Sequence, residues 1–263
     1  MSGPDTQMES MKTKTRVIVS PLFGVIPLDF LITGEPHPCP YLPGREAREE
    51  AFRADEFPSE LYHDFMDHGF RRSGPYFYRP VCRSCRACRS IRVPVTRFRL
   101  KKSYRRILKN NQDVRIRIGA PKMTEEKHRV YVNYLTCQHN TIDNSSLEDF
   151  HRFLYCTAVN TLEFEYRLKG RLMAVGILDL CSRSLSSVYT YFDPEFSSRS
   201  PGSFSAIKEI LYCRDKAVAH YYLGYYVADC PAMNYKARFK PHEFLDPDGT
   251  WIPNDAKGRT RPT

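Results

Sequence analysis

Three cysteines recur at every third residue in YRPVCRSCRACRSIRV, residues 78–93, at Cys82, Cys85 and Cys88. Thiolates at this spacing on a short loop aim three soft ligands at one centre, and the arginines between them would otherwise make the loop self-repelling. The pattern is denser than the paired C-x2-C knuckles of structural zinc sites and carries the first three ligands of the bacterial ferredoxin spacing. The fourth thiolate of that spacing stands beside a proline, as Cys39 does before Pro40, although here it lies upstream. Cys39, Cys82, Cys85 and Cys88 are therefore candidate ligands for a Zn ion or an iron–sulfur cluster. Buried or redox-active thiols without metal are the alternative, and the spacing does not choose.

A second chemistry is written around that loop. From Arg71 to Gln112 the chain carries fourteen Lys and Arg and no Asp or Glu. Such a block is the footprint of a polyanion partner, and Tyr76, Phe77, Tyr78, Phe98 and Tyr104 offer interleaved surfaces on which unpaired bases could stack. Arg99, Lys101, Lys102, Arg105, Arg106 and Lys109 are the candidate phosphate contacts. The whole chain of 263 residues has net charge +10, which agrees. Nine cysteines, an odd number in a long chain without a secretory signal, read as reduced thiols. The polar opening and the lack of an apolar run of 18 residues point to a cytoplasmic protein with no membrane partner.

The elements that must position these groups fall into two halves. Residues 16–33 read as short strands broken by Pro21, Gly24 and Pro27, and 34–45 as a stiff proline-rich loop. A charged helix is expected from Glu46 to Arg53, and another follows Ser59 as cap and stops at Gly69. Ser103 to Asn111 predicts a basic helix and VRIRIG a strand. Thr124 caps the next helix, and Ser145 with Glu148 forms a capping box before another; His128, His139 and His151 are ordinary helical histidines. The second half reads as three antiparallel strands (163–169, 172–181, 186–194), a loop containing Gly202, a helix and a further strand, 221–227. The boundaries expected are a tail 1–15, a cysteine-rich basic domain 16–119, a second domain 120–252 and a tail 253–263.

The order of elements in the second half resembles acyltransferases of the Gcn5-related type, giving an α+β fold: a mixed or antiparallel sheet with helices, beside a smaller cysteine-containing domain. In that fold a loop Arg/Gln-x-x-Gly-x-Gly/Ala holds the acyl-CoA pyrophosphate at a helix N-terminus. Arg199 and Gly202 match it, whereas Phe204 replaces the small last residue and argues against CoA. Arg199 and Gly202 are then left for a tRNA phosphate.

Five motifs in order, CPYLPGR (39–45), GFRRSG (69–74), YRPVCRSCRAC (78–88), VYTYFDP (188–194) and YKARFKP (235–241), resemble the aminoacyl-tRNA–protein transferases, in particular the bacterial aspartate/glutamate leucyltransferase branch. The resemblance implies an enzyme that moves leucine from leucyl-tRNA to the N-terminal amine of proteins beginning with Asp or Glu, which marks them for degradation. Arginyl-tRNA as donor is the alternative within the family. A CoA-dependent N-acyltransferase would leave the basic block unused, and a non-catalytic, metal-dependent RNA-binding protein would leave the acyltransferase-like order unused.

The ester of an aminoacyl-tRNA is already activated, and an α-amine with pKa of about 7.7–8 is partly neutral at neutral pH. Positioning and oxyanion stabilisation then suffice, with a mild base at Asp193 or a tyrosine at Tyr189, Tyr191 or Tyr235. Asp193 ending a strand and the two β tyrosines forming a packed face is the purely structural alternative. Arg45, Lys236 and Arg238, in the family-like motifs, are candidates for the acceptor carboxylate, or else for tRNA phosphate.

Overall fold

The computed structural model describes residues 16–143 and 145–254. The tail expected at 1–15 lies outside these residues, as does most of that at 253–263, and the side chain of His139 is likewise not described. Pro253 and Asn254 belong to the last strand rather than to a tail.

The chain opens with a hairpin, β1 (Val17–Ser20) and β2 (Gly24–Pro27), followed by four short strands: β3 (Ile32–Thr33), β4 (His37–Pro38), β5 (Glu46–Ala47) and β6 (Glu49–Arg53). The helix expected over 46–53 is therefore extended. Tertiary pairing overrides its helix-forming composition: β6 joins a four-stranded sheet, and buried Glu50 accepts from Arg16 and Arg79, each at 2.5 Å. Helix α1 (Ser59–Asp67) comes next, then β7 (Arg71–Ser73) and β8 (Tyr76–Pro80), which complete that sheet in the order β3-β6-β8-β7. Ser59 does not cap α1; its hydroxyl accepts instead from the Asn160 amide at 3.3 Å.

Strand β9 (Arg89–Pro94) and helix α2 (Lys102–Asn110) follow, then β10 (Val114–Gly119), α3 (Glu125–Tyr134) and α4 (Leu147–Phe150). Thr124 caps α3 as expected, whereas α4 is capped by Ser146, one residue after the serine expected. Strands β11 (Thr161–Leu168), β12 (Arg171–Leu180) and β13 (Ser184–Phe192) lead to helix α5 (Pro201–Asp215), strand β14 (His220–Tyr226), a short α6 (Pro231–Asn234), and β15 (His242–Leu245) with β16 (Trp251–Asn254). The result is a mixed α+β fold around one eight-stranded sheet, β10-β11-β12-β13-β14-β9-β15-β16.

In this sheet β13 and β14 are the parallel pair, and every other pairing is antiparallel. Strand β12, LMAVGILD in its middle, is buried on both faces, the pattern a continuous apolar run predicts. Helix α5 packs on the sheet with Phe164, Met173 and Ile207, whereas α3 and α4 bring Tyr131 and Phe150 against Val175 and Tyr191. The expected boundary at 119/120 divides this sheet. Strand β9 lies between β14 and β15, and β10 pairs with β11 along its whole length, so residues 89–119 belong structurally with the second half.

The basic block is divided as well. Arg72 is fully buried in an ion pair with Asp179, Arg79 holds Glu50, and Arg92 holds Asp67 and Glu243. Phe77, Phe98 and Tyr104 are core residues rather than stacking surfaces; Phe98 and Tyr104 stack on each other, and Tyr104 on Phe239. Tyr76, next to Phe77 on the alternating β8, is exposed. The exposed cations of the block are Arg83 and Arg86 in the cysteine segment and those of α2 and the segment before it.

Candidate active site

The site follows from a parting of strands. Strands β13 and β14 pair over Ser184–Ser186 and His220–Tyr222 and then diverge, β13 continuing along β12 and β14 along β9. Register shifts fall where they part, one between β12 and β13 at Ile177/Leu178 and one between β14 and β9 at Tyr222/Gly224. Such bulges sharpen local twist and bend the strands that carry them. A cavity of about 470 Å³ opens in the gap, walled by Ser187 and Thr190 of β13, Tyr221 and Leu223 of β14, Gly202 of α5, and Tyr235.

Two cations sit behind the β14 wall. Arg71 donates to the Ser186 hydroxyl at 3.0 Å and to the Ser187 carbonyl, and Lys236 donates to the Tyr225 carbonyl at 2.7 Å. Both side chains approach Gly224, whose φ is +89°; a Cβ there would lie 3.4 Å from Arg71 Nη2 and 3.5 Å from Lys236 Nζ. Glycine serves both the left-handed backbone and the space for the two cations. Both are buried, and among the described residues neither is paired with a carboxylate. Burial first, and Arg71 second, pull the Lys236 ammonium down to about 7. Charges buried in this way are costly unless an anion joins them, so the site is poised for one.

Opposite them lies a buried acid. Glu209 on α5 is fully buried, and its two carboxylate oxygens accept from Tyr166 at 3.2 Å and from Tyr221, whose ring lines the cavity. Burial pushes this carboxyl up to about 7, against the two tyrosine hydrogen bonds. Gly176 of β12 makes room for it, since a Cβ there would come within 2.8 Å of Glu209 Oε1.

Helix α2 carries exposed cations. Arg99, Lys101, Lys102, Arg105, Arg106 and Lys109 are exposed, and among the described residues none is paired with a carboxylate. The helix is tied at both ends to the segments bounding the cavity. At its start the Tyr104 hydroxyl and Lys101 donate to the Arg238 carbonyl at 2.5 and 3.2 Å; at its end Asn111 donates to the Arg199 carbonyl at 2.9 Å. Arg199 itself is engaged by Asp113 at 2.7 Å and the Asn110 carbonyl at 2.8 Å. Gly202, by contrast, lies in the cavity wall at the start of α5. Phe204 turns its ring into the core against Tyr166.

Of the tyrosines and acid expected in catalysis, Tyr235 lines the cavity, and burial pushes its phenol up to about 12. Tyr191 is buried among Tyr131, Tyr155 and Phe150. Tyr189 faces a different cavity of about 620 Å³ with Tyr131 and Arg152, where Arg152 is already paired with Asp149. Asp193 ends β13 as a cap: one oxygen accepts from the Glu195 amide at 3.1 Å and the other lies 3.5 Å from Arg171. Its carboxylate is absent from the cavity wall. Of the acceptor candidates only Lys236 is buried at the site; Arg238 is exposed, and exposed Arg45 reaches Cys85 Sγ at 3.6 Å.

Arg71, Tyr221 and Glu209 were not legible as site residues. Arg71 stands beside Arg72 in a basic run, and Glu209 follows Lys208 in a helix where a charged pair reads as solvent-facing.

Cys39, Cys82, Cys85 and Cys88 line one small cavity of about 50 Å³, beneath the 37–47 segment and against Val227 and Cys230. Burial, and then the neighbouring Cys39, Cys82 and Cys85, push the Cys88 thiol up to about 12. All nine cysteines are free, and among the described residues no group of three or more His, Cys, Asp or Glu is arranged to hold a metal ion. The four thiols gather at one place, and they are the residues that would hold a metal ion there.

Comparison with known proteins identifies the family. Residues 37–106 match the family described as arginine-tRNA-protein transferase, N terminus, and residues 126–246 its C terminus. The chain is 37% identical over 219 residues to the aspartate/glutamate leucyltransferase of Halorhodospira halophila, covering 81% of this chain and 92% of that protein. It is 38% identical to those of Chromohalobacter salexigens, with 83% and 90% covered, and Marinobacter nauticus, with 82% and 92% covered. Among solved structures, the C-terminal domain of a lysylphosphatidylglycerol synthetase from Agrobacterium fabrum superposes with a TM-score of 0.47 at 16% identity, over 77% of this chain and 65% of that one. The chain therefore belongs to the aminoacyl-tRNA–protein transferase family, in its aspartate/glutamate leucyltransferase branch, and is an aminoacyltransferase.

Proposed function

We propose that the protein transfers leucine from leucyl-tRNA to the α-amine of proteins whose first residue is Asp or Glu. The observation that carries this reading is the Arg71–Lys236 pair: two buried cations beside the cavity with no carboxylate partner among the described residues. An acidic first side chain would supply the missing charge, and its α-amine, two carbons from the carboxyl group in Asp and three in Glu, would then stand in the cavity. The guanidinium can meet a carboxylate in bidentate fashion and the ammonium as a point charge.

The tRNA lies along α2, whose cations are exposed and whose two ends are tied to the cavity's rims. Reaction joins amine nitrogen to ester carbonyl carbon and releases the ribose hydroxyl. The work of the site is orientation, which can be worth ~7–11 kcal/mol, and stabilisation of the oxyanion, a role this reading gives to Tyr235 and the first amides of α5. The divergence of two parallel strands beside a helix N-terminus supports a Gcn5-related likeness for this half of the fold. No helix among the described residues is long and apolar enough to cross a membrane, and a cytoplasmic site of action suits a tRNA substrate. The cysteine cluster is read as support for the 37–47 segment. Whether it also takes up Zn or iron is tested by metal analysis and the visible spectrum of anaerobically purified protein.

Purified protein incubated with labelled leucyl-tRNA or arginyl-tRNA, and with peptides beginning with Asp, Glu or Ala, tests the reading. Leucine is expected on the Asp and Glu peptides only. Transfer from arginyl-tRNA alone would make the donor arginine, and equal transfer to the Ala peptide would remove the cation pair from acceptor choice.

A further inference from the structure

We propose that Glu209 is the proton-holding residue of the transfer reaction, acting through the Tyr221 phenol at the cavity wall. The proposal rests on the aminoacyl transfer proposed for this site, and on a geometry that a purely structural role leaves unexplained. A fully buried carboxyl on a core helix is expensive. It would ordinarily be matched by a cation, as Asp179 is by Arg72 and Glu163 by Lys127. Glu209 has no such partner among the described residues.

The groups facing it are Tyr166 from β11, Tyr221 from β14, Tyr235 beyond β14 and Cys213 on its own helix. None is cationic at neutral pH. On the β12 side Gly176 contributes empty space that the carboxyl fills. The carboxyl is thus sheltered, uncompensated and bonded through one oxygen to a cavity-lining phenol. Ser187 also stands in the cavity wall. The carboxyl titrates near 7, the range in which a general base is most effective at neutral pH.

The step balances without any further reagent. The acceptor nitrogen attacks the ester carbon and a C–N bond forms. As the nitrogen gives its proton to the Tyr221 oxygen, the Tyr221 proton passes to Glu209. The C–O bond to the ribose then breaks, and a proton returns along the same path to the departing hydroxyl. Nothing is oxidised or reduced, and Glu209 ends ionised as it began. Tyr221 meets the substrate; Glu209 positions that phenol and stores its proton.

The test is kcat/KM for transfer from leucyl-tRNA to an Asp peptide between pH 5 and 9. Any transfer by the wild type secures the underlying reading, and its absence would be a failure of that reading alone. With transfer in hand, log kcat/KM below about pH 6.5 is expected to rise with a two-proton slope, one from the peptide amine and one from Glu209. Glu209→Gln is expected to lower the rate ~100-fold and leave a one-proton slope. Tyr166→Phe removes one hydrogen bond from the carboxylate and is expected to keep the second limb but move it to higher pH. A Glu209→Gln enzyme with the two-proton slope intact overturns the proposal. Should that variant not fold, Tyr221→Phe decides: loss of the limb supports the relay, and a wild-type profile overturns it.

Discussion

Arg72 of β7 and Asp179 of β12 form a bidentate ion pair, Nε to Oδ2 at 2.8 Å and Nη2 to Oδ1 at 2.7 Å, with both side chains wholly buried. The pair ties the four-stranded sheet to the eight-stranded one, and the Thr161 hydroxyl donates to the same carboxylate at 2.8 Å. Removing one partner strands a buried charge. Asp179→Ala is expected to cost ~3–5 kcal/mol in urea unfolding, and Arg72→Met combined with Asp179→Leu less than Asp179→Ala alone. A double variant as unstable as the single would show that the pair is worth more than the desolvation it incurs.

Lys236 makes stability depend on pH. Its folded pKa lies near 7, below the ordinary 10.5, so between these values the unfolded chain holds more protons and stability rises with pH. From pH 7 to 9 the gain is expected to be about 2 kcal/mol relative to Lys236→Met, measured by urea unfolding at both pH values. The stability is lost as pH falls towards 7. Parallel pH curves for the two proteins would show that the amine is not held neutral by the fold.

The α2 cations are expected to act on tRNA without choosing the acceptor. Replacing Lys102, Arg105 and Arg106 by Gln should weaken tRNA binding and flatten its dependence on log salt by roughly one unit for each phosphate that is no longer neutralised. KM for the Asp peptide should stay as it is. A change confined to the peptide's KM would place the acceptor on α2 instead.

Asp193 is expected to be dispensable for chemistry. Its oxygens are spent on the Glu195 amide and Arg171, and Asn caps as well as Asp does. Asp193→Asn should therefore transfer leucine at the wild-type rate. A fall of ~100-fold would return it to the reacting centre.

Local chemistry makes much of the fold legible. Strands β11, β12, β13 and β14 are marked by alternation or continuous apolar runs, and α3 by Thr124 with acidic residues in its first turn. The segment 46–53 misleads because its composition favours a helix while its partners, β3 and β8, lie elsewhere in the chain. The cap at Ser146 falls one residue from the serine expected because two adjacent serines offer the same hydroxyl.

The cysteine segment 78–93 divides along the same line. By itself the sequence determined the family-like motifs, a basic surface on α2 and the gathering of Cys39 with Cys82, Cys85 and Cys88. Only the tertiary structure decided which charges face water. Arg71 and Arg72 are neighbours in one basic run, yet strand alternation sends Arg72 to a carboxylate 107 positions away and leaves Arg71 beside Lys236 with none among the described residues. Glu209 became an isolated buried acid only when α5 was laid on Gly176 and Tyr221. Charge and spacing are properties of the chain, but desolvation and pairing are properties of the packed fold, and those set what each ionisable group can do.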